Sequence, residues 1–190
     1  MPEQTGIKDA GDHPAALGTQ RQALDELFSA AYEELRRMAI AAKRSRVNPA
    51  VSTGTLIHAA WLKLAGAQRF APESREHFMR IAARTMRFVL TEAARKTIAL
   101  KRGGENAAFF VTMDADGFEI SSDKDVLALD DALGELERLS PRQARIVEER
   151  FYGGFPEQEI AAMLEISTET VRRDWRSAKA WLAVALRRHG

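Results

Sequence analysis

Apolar side chains recur three and four residues apart along almost the whole of this 190-residue chain, and that period restricts it to an all-α fold. Leu24, Leu27, Phe28, Ala31, Leu35, Met38, Ala39 and Ala42 form the first stripe. Thr19 and Gln22 have capping-box spacing ahead of it. Asn48-Pro49 ends it, because proline pushes the preceding residue out of the helical region. A second helix, Thr55–Ala65, brings Leu56, Ile57, Ala60, Trp61 and Leu64 together. After the loop GAQRFAPES (66–74), Ser74 is set to cap a long third helix that runs to Gly103-Gly104.

The period then fails. ENAAFFVTMDADGFEISSDKD (105–125) is rich in small and acidic residues, with one short apolar run at Phe109–Val111. We read 103–126 as a flexible acidic linker rather than a hairpin, able to span on the order of 70 Å when extended. Helical spacing resumes at Leu127, Leu129, Leu133 and Leu136. SPRQ (140–143) opens the next helix, with Ser140 as cap, Pro141 in the first turn and Gln143 closing a capping box. Ala144, Ile146, Val147 and Phe151 carry its stripe, and Gly153-Gly154 stop it. A short helix, Glu157–Leu164, leads to Ser167, which caps a last helix from Thr168 to about Arg188. Two helices joined by a tight turn, the second opening on polar and basic residues, predict a helix-turn-helix. The organisation expected is a floppy arm at 1–18, a helical bundle over 19–102, the linker, and a helix-turn-helix domain over 127–190.

Composition narrows the function. Cysteine is absent, which excludes disulfides and thiolate chemistry and fits a reducing cytoplasm. No apolar run is long enough to cross a bilayer, and the first residues lack a basic-then-apolar leader pattern. The net charge of +1 conceals strong segregation. Residues 21–102 carry 16 Lys and Arg against 7 Asp and Glu, whereas 103–135 carry 1 against 9 and 166–190 carry 6 against 2. Two basic blocks around an acidic middle suit a chain that meets a polyanion at two places.

Geometry sharpens both basic blocks. At about 100° per residue, with Arg80 as zero, His77, Arg84, Arg87, Arg95 and Arg102 fall within about 60° of it. Phe78, Ile81, Ala82, Thr85, Val89 and Ala93 centre near 160° on the same wheel. One face of this helix therefore packs, and the other offers a phosphate-facing ladder. In the last helix Val171, Trp175, Ala178, Leu182, Ala185 and Leu186 share the core face. Glu169, Arg172, Arg173, Arg176 and Lys179 project from the other side, where a recognition helix enters the major groove. Arginine there pairs bidentately with guanine, and glutamate accepts from cytosine N4.

Over residues 20–188 the chain resembles an extracytoplasmic-function RNA polymerase sigma factor. ELRRMAIAAKR, TLIHAAWLKL, HFMRIAARTMRFVLTEAARKTIALKRGG, VTMD and the stretch from LDDALGELERLSPRQ to ISTETVRRDWRSAKAWL look like that family's segments in order. The resemblance implies no enzyme activity and no cofactor. Its partners would be core RNA polymerase and promoter DNA, with an anti-sigma protein as the inhibitor typical of such factors. It implies polymerase binding through Leu56, His58, Trp61, Leu62 and Lys63. The minus-ten element would be read and melted by His77, Arg80, Arg84, Arg87, Arg95, Lys96 and Arg102, with a flipped base received in the GAQRFAPES loop. Ser167, Thr168, Glu169, Arg172, Arg173, Arg176 and Lys179 would hold the minus-thirty-five element. Three positions depart from the family pattern: Ala60 stands where an acid is usual, Pro156 where a hydroxyl cap is common, and Glu165 where the turn usually has glycine. The glycine matters only if the backbone takes a positive φ there, at a cost of about 1 kcal/mol.

The rival reading is a helix-turn-helix regulator that acts without the polymerase. An enzyme would have to rest on His58, His77, Asp114 and Asp116, which show neither metal-ligand spacing nor a glycine-rich phosphate loop.

Overall fold

A computed structural model of the chain describes residues 22–23, 25–43, 51–66, 72–100, 111–113, 118–120 and 122–188. Helix α1 is described over 25–30, followed by α2 (Tyr32–Ala42), α3 (Thr53–Ala65) and α4 (Arg75–Leu100). Strands β1 (Val111–Met113) and β2 (Phe118–Ile120) precede α5 (Asp123–Leu139), α6 (Pro141–Phe151), α7 (Glu157–Met163) and α8 (Thr168–Arg188). The fold is all-α apart from that strand pair. Thr19, Asn48-Pro49, Arg102, Gly103-Gly104, Phe109, Phe110, Asp114, Asp116 and most of the GAQRFAPES loop lie outside the described residues.

Local chemistry explains where the helices begin. Ser52 Oγ accepts from Thr55 N at 3.0 Å, so α3 starts two residues ahead of its expected Thr55. Ser74 Oγ caps α4 by accepting from His77 N at 3.1 Å. Ser122 and Asp125 form a reciprocal capping box, which starts α5 at Asp123 rather than 127. Ser140 was expected to cap α6 with its side chain, but it makes no such bond. It is the single residue between two helices, and its amide closes α5 by donating to Leu136 O at 2.7 Å. Pro141 opens α6 as expected, since its missing N–H is an orphan donor in any first turn.

The linker expectation also needs correcting. β1 and β2 pair antiparallel, Val111 with Ile120, Thr112 with Glu119 and Met113 with Phe118. The overlooked signal is Asp116-Gly117 between two β-prone triplets, a dipeptide with hairpin chemistry. Ile120 is buried and joins the core.

Helix α4 is the centre of the molecule. It packs on α2 and α3 on one side and on α5 and α6 on the other. Phe78, Met79, Ala82, Ala83 and Met86 are buried along it, together with Thr91 and Ala94. The buried residues of both halves form one cluster, from Leu35, Leu56 and Phe78 to Leu133, Ile146 and Leu182. Each such side chain contributes roughly 1.5–3 kcal/mol when fully buried. At the end of α6, Gly154 has φ +66°, and a Cβ there would lie 2.8 Å from the Ala41 Cβ of α2. The described helices of the two halves thus pack directly on each other.

Candidate nucleic-acid interface

The turn before α8 aims its first residues outward. Ile166 N donates to Ala161 O at 3.0 Å and Glu165 N to Ala162 O at 3.2 Å, the paired bonds of a Schellman stop for α7. That motif requires a left-handed residue, and Glu165 supplies it with φ 53°. Ser167 then caps α8, its Oγ accepting from Thr170 N at 3.1 Å. Val171, Trp175, Ala178, Leu182, Ala185 and Leu186 are buried, the face expected from their spacing. Glu169, Arg172, Arg173 and Arg176 are exposed, with Thr168 and Lys179 half-buried beside them.

A carboxylate from α7 organises this surface. Glu157 accepts from Arg172 Nε at 2.7 Å and from Arg150 Nη1 at 2.9 Å. Hydrogen bonds from Arg150 and then Arg172 hold its carboxyl below the usual carboxylate range. Arg150 in turn stacks 4.7 Å over the Trp175 ring, so the buried anchor of α8 and its outer arginine share one network. Glu169 lies 3.8 Å from Arg172 and 3.6 Å from Arg176. Glu157 and Arg150 were not among the candidate residues. The signal was an acid at the first position of α7, three residues after the Gly-Gly break.

On the other side of the helix-turn-helix, Asp174 is buried and accepts from Arg142 Nε at 2.6 Å. Arg142 of α6 is thereby tied to α8.

The arginine ladder of α4 does not stand free. Arg87 is 9% exposed. Its Nε donates to Asp130 Oδ1 at 2.8 Å, its Nη2 to Asp130 O at 2.9 Å and its Nη1 to Glu148 Oε1 at 3.2 Å. Arg95 reaches Asp130 Oδ2 at 3.4 Å, and Arg84 reaches Glu137 Oε1 at 3.4 Å. His77 and Arg80 are half-buried, while Lys96 is exposed. The pairings run in opposite directions along α4 and α5, so these helices are antiparallel. The middle of the face taken to be open to phosphate, at Arg87, is covered by the acidic face of α5 and α6, while the Arg84 and Arg95 side chains stay 52% and 59% exposed at its edge. Ala83, Thr91 and Ala94 fall within about 60° of Arg80 on the same wheel, and small side chains among the arginines were the sign of a second packing face.

Helix α3 offers a smaller surface than expected. Leu56 is wholly buried, which withdraws it from contact with any partner. His58, Leu62 and Lys63 are exposed, and Trp61 is half-buried against Phe28 with ring centroids 6.0 Å apart. Lys63 pairs with Glu92 of α4 at 3.0 Å. Ala60 is 2% exposed, so a carboxylate there would have to be buried or force α3 to shift.

Among the described residues, no group of three or more His, Asp or Glu side chains is arranged to hold a metal ion. Among the same residues, no helix is long and apolar enough to cross a membrane. A family model described as "ECF sigma factor" matches residues 18–188. No curated protein and no solved structure matches the chain.

Proposed function

The chain belongs to the ECF sigma factor family, and from that premise we propose that it binds core RNA polymerase and directs initiation by reading two promoter elements. The N-terminal half of α8 reads the minus-thirty-five element through Arg172, Arg173 and Arg176, with Glu169, Ser167, Thr168 and Lys179 beside them. The arginine face of α4 reads and melts the minus-ten element. The exposed side chains of α3 dock on the polymerase. The catalytic metal for RNA synthesis belongs to the polymerase, and this chain contributes position and sequence choice. The observation that carries the reading is the orientation of α8: Val171 and Trp175 lie in the core while Arg172, Arg173 and Arg176 remain exposed. Arginines at the start of a helix-turn-helix second helix match base edges in the major groove.

The test is transcription in vitro with purified core polymerase and fragmented genomic DNA, with RNA 5′ ends sequenced. Addition of the protein is expected to create start sites that share two upstream elements. The Arg172→Ala/Arg176→Ala variant is expected to lose those starts. Silence with an active core, alongside DNA binding by the protein alone, would assign it instead to regulators that act without the polymerase.

A further inference from the structure

We infer that the free chain blocks itself: the acidic face of α5 and α6 clasps the arginine face of α4 and must let go before that face meets DNA. The inference rests on the promoter-reading role of α4 proposed above.

Three observations carry it. The first is exclusivity. A guanidinium presents five N–H donors in a fixed fork, and Arg87 commits Nε, Nη1 and Nη2 to Asp130 and Glu148. Those are the edges a phosphate would use. Packed helices lie about 8–10 Å apart, which leaves no room for a nucleic acid strand between them. Nucleic acid and the C-terminal half therefore compete for one surface.

The second is charge. The carboxylates that bind Arg84, Arg87 and Arg95 come from 35 to 61 residues further along the chain. Asp130 belongs to the acidic stretch 103–135, with 9 acids against 1 base, and it faces a segment with 16 bases against 7 acids. The clasp presents to α4 the same sign of charge that DNA would.

The third is reversibility. Buried ion pairs recover little more than their own desolvation cost, and this interface also holds Glu149, 2% exposed, whose buried Oε2 has no hydrogen-bond partner among the described residues. Packing is incomplete at one end, where a cleft of ≈ 820 Å³ separates Arg37, Arg75 and Arg80 from Gly154 and Phe155. The connection from Leu100 to Asp123 has the length to let the halves separate. Its strand pair has two strands of three residues, too little to resist separation by itself.

The chain lacks cysteine, so labels can be placed at will. Spin labels at Ser29→Cys and Ser177→Cys report the distance between the halves, and fluorescence anisotropy with a labelled 20-nucleotide oligo(dT) reports access to the basic face. The Asp130→Asn/Glu148→Gln variant is expected to bind the oligonucleotide about tenfold more tightly than the unsubstituted chain, with a broader distance distribution, as a shifted two-state equilibrium requires. Glu137→Gln removes one half-exposed partner without risk to folding and is expected to give a gain of roughly twofold in the same direction. Core polymerase is expected to lengthen the label distance in the unsubstituted chain. Unchanged affinity and distance in both variants would overturn the clasp, even with transcription intact. If the clasp variants open while no form of the chain supports transcription, the failure lies with the promoter-reading role instead.

Discussion

At the scale of single residues, the conformation of Glu165 carries more consequence than its charge. Its φ of 53° is imposed by the Schellman bonds that end α7 and set the exit angle into α8. An L-residue in the left-handed region is strained by roughly 1–2 kcal/mol, and glycine escapes that strain while losing more backbone entropy on folding. The balance favours Glu165→Gly by about 0.5–1 kcal/mol, a rise in melting temperature of about 1–4 °C for a chain of this size. Thermal unfolding followed by circular dichroism decides it; an unchanged or lower midpoint would mean that the turn tolerates the side chain without strain. Arg84 and Arg87 teach the complementary lesson. They are the same residue type one turn apart, yet Arg87 is 9% exposed and bonded to acceptors through all three of its guanidinium nitrogens while the Arg84 side chain is 52% exposed. Nothing within several residues of either distinguishes them, because the difference comes from Asp130 and Glu148.

At the scale of elements, α8 was legible and α4 only half so. The features that make α8 readable are local: Ser167 caps it, and Val171 through Leu186 recur on one face. Helix α4 has two packing faces, and one of them consists of Ala83, Thr91 and Ala94 among arginines. Apolar periodicity detects the large side chains of the first face and passes over the small ones of the second. The hairpin was missed for the opposite reason: its signal is two residues long and sits in an acidic stretch without period. Within the helix-turn-helix, the α7 carboxylate of Glu157 fixes the position of Arg172 from outside α8. Freeing such a side chain costs about 0.5–1.5 kcal/mol of ordering on binding, or roughly two- to tenfold in affinity. Glu157→Ala is therefore expected to reduce minus-thirty-five-dependent transcription by that factor. Stability should fall only slightly through the loss of the Arg172 pair, which is exposed and screened, and further through the loss of the less exposed Arg150 pair. Equal loss at promoters with and without a matched upstream element would indicate general damage to the domain rather than a misplaced Arg172.

At the scale of the whole molecule, the packing of the two halves on each other was not legible. The ion pairs that close them join residues 35 to 61 positions apart, beyond the reach of any periodic pattern. Closure has a pH signature. Glu149 on α6 is buried, with Arg80 of α4 and Arg145 near it and Glu148 beside it. Burial first, and then the Glu148 charge, push its carboxyl up to about 8. Burial also raises Glu148 against the pull of Arg87. A carboxyl whose pKa is raised by folding keeps its proton where the unfolded chain has released it, so the folded form binds more protons. The stability associated with it is fully present below the usual carboxylate value of 4.5 and is lost as pH rises towards about 8. Within that window the slope approaches about 1.4 kcal/mol per pH unit for one such group. Glu149→Met keeps the length of the side chain and removes the titration. The melting temperature of the unsubstituted chain is expected to fall between pH 5 and pH 8, while that of Glu149→Met changes much less and exceeds it at pH 8. Parallel curves for the two proteins would show that Glu149 reaches solvent, and with it that α4 and α6 are not closed on each other. Glu149→Met opening less readily than the unsubstituted chain at pH 8, in the spin-label measurement, would tie this titration to the clasp rather than to global unfolding.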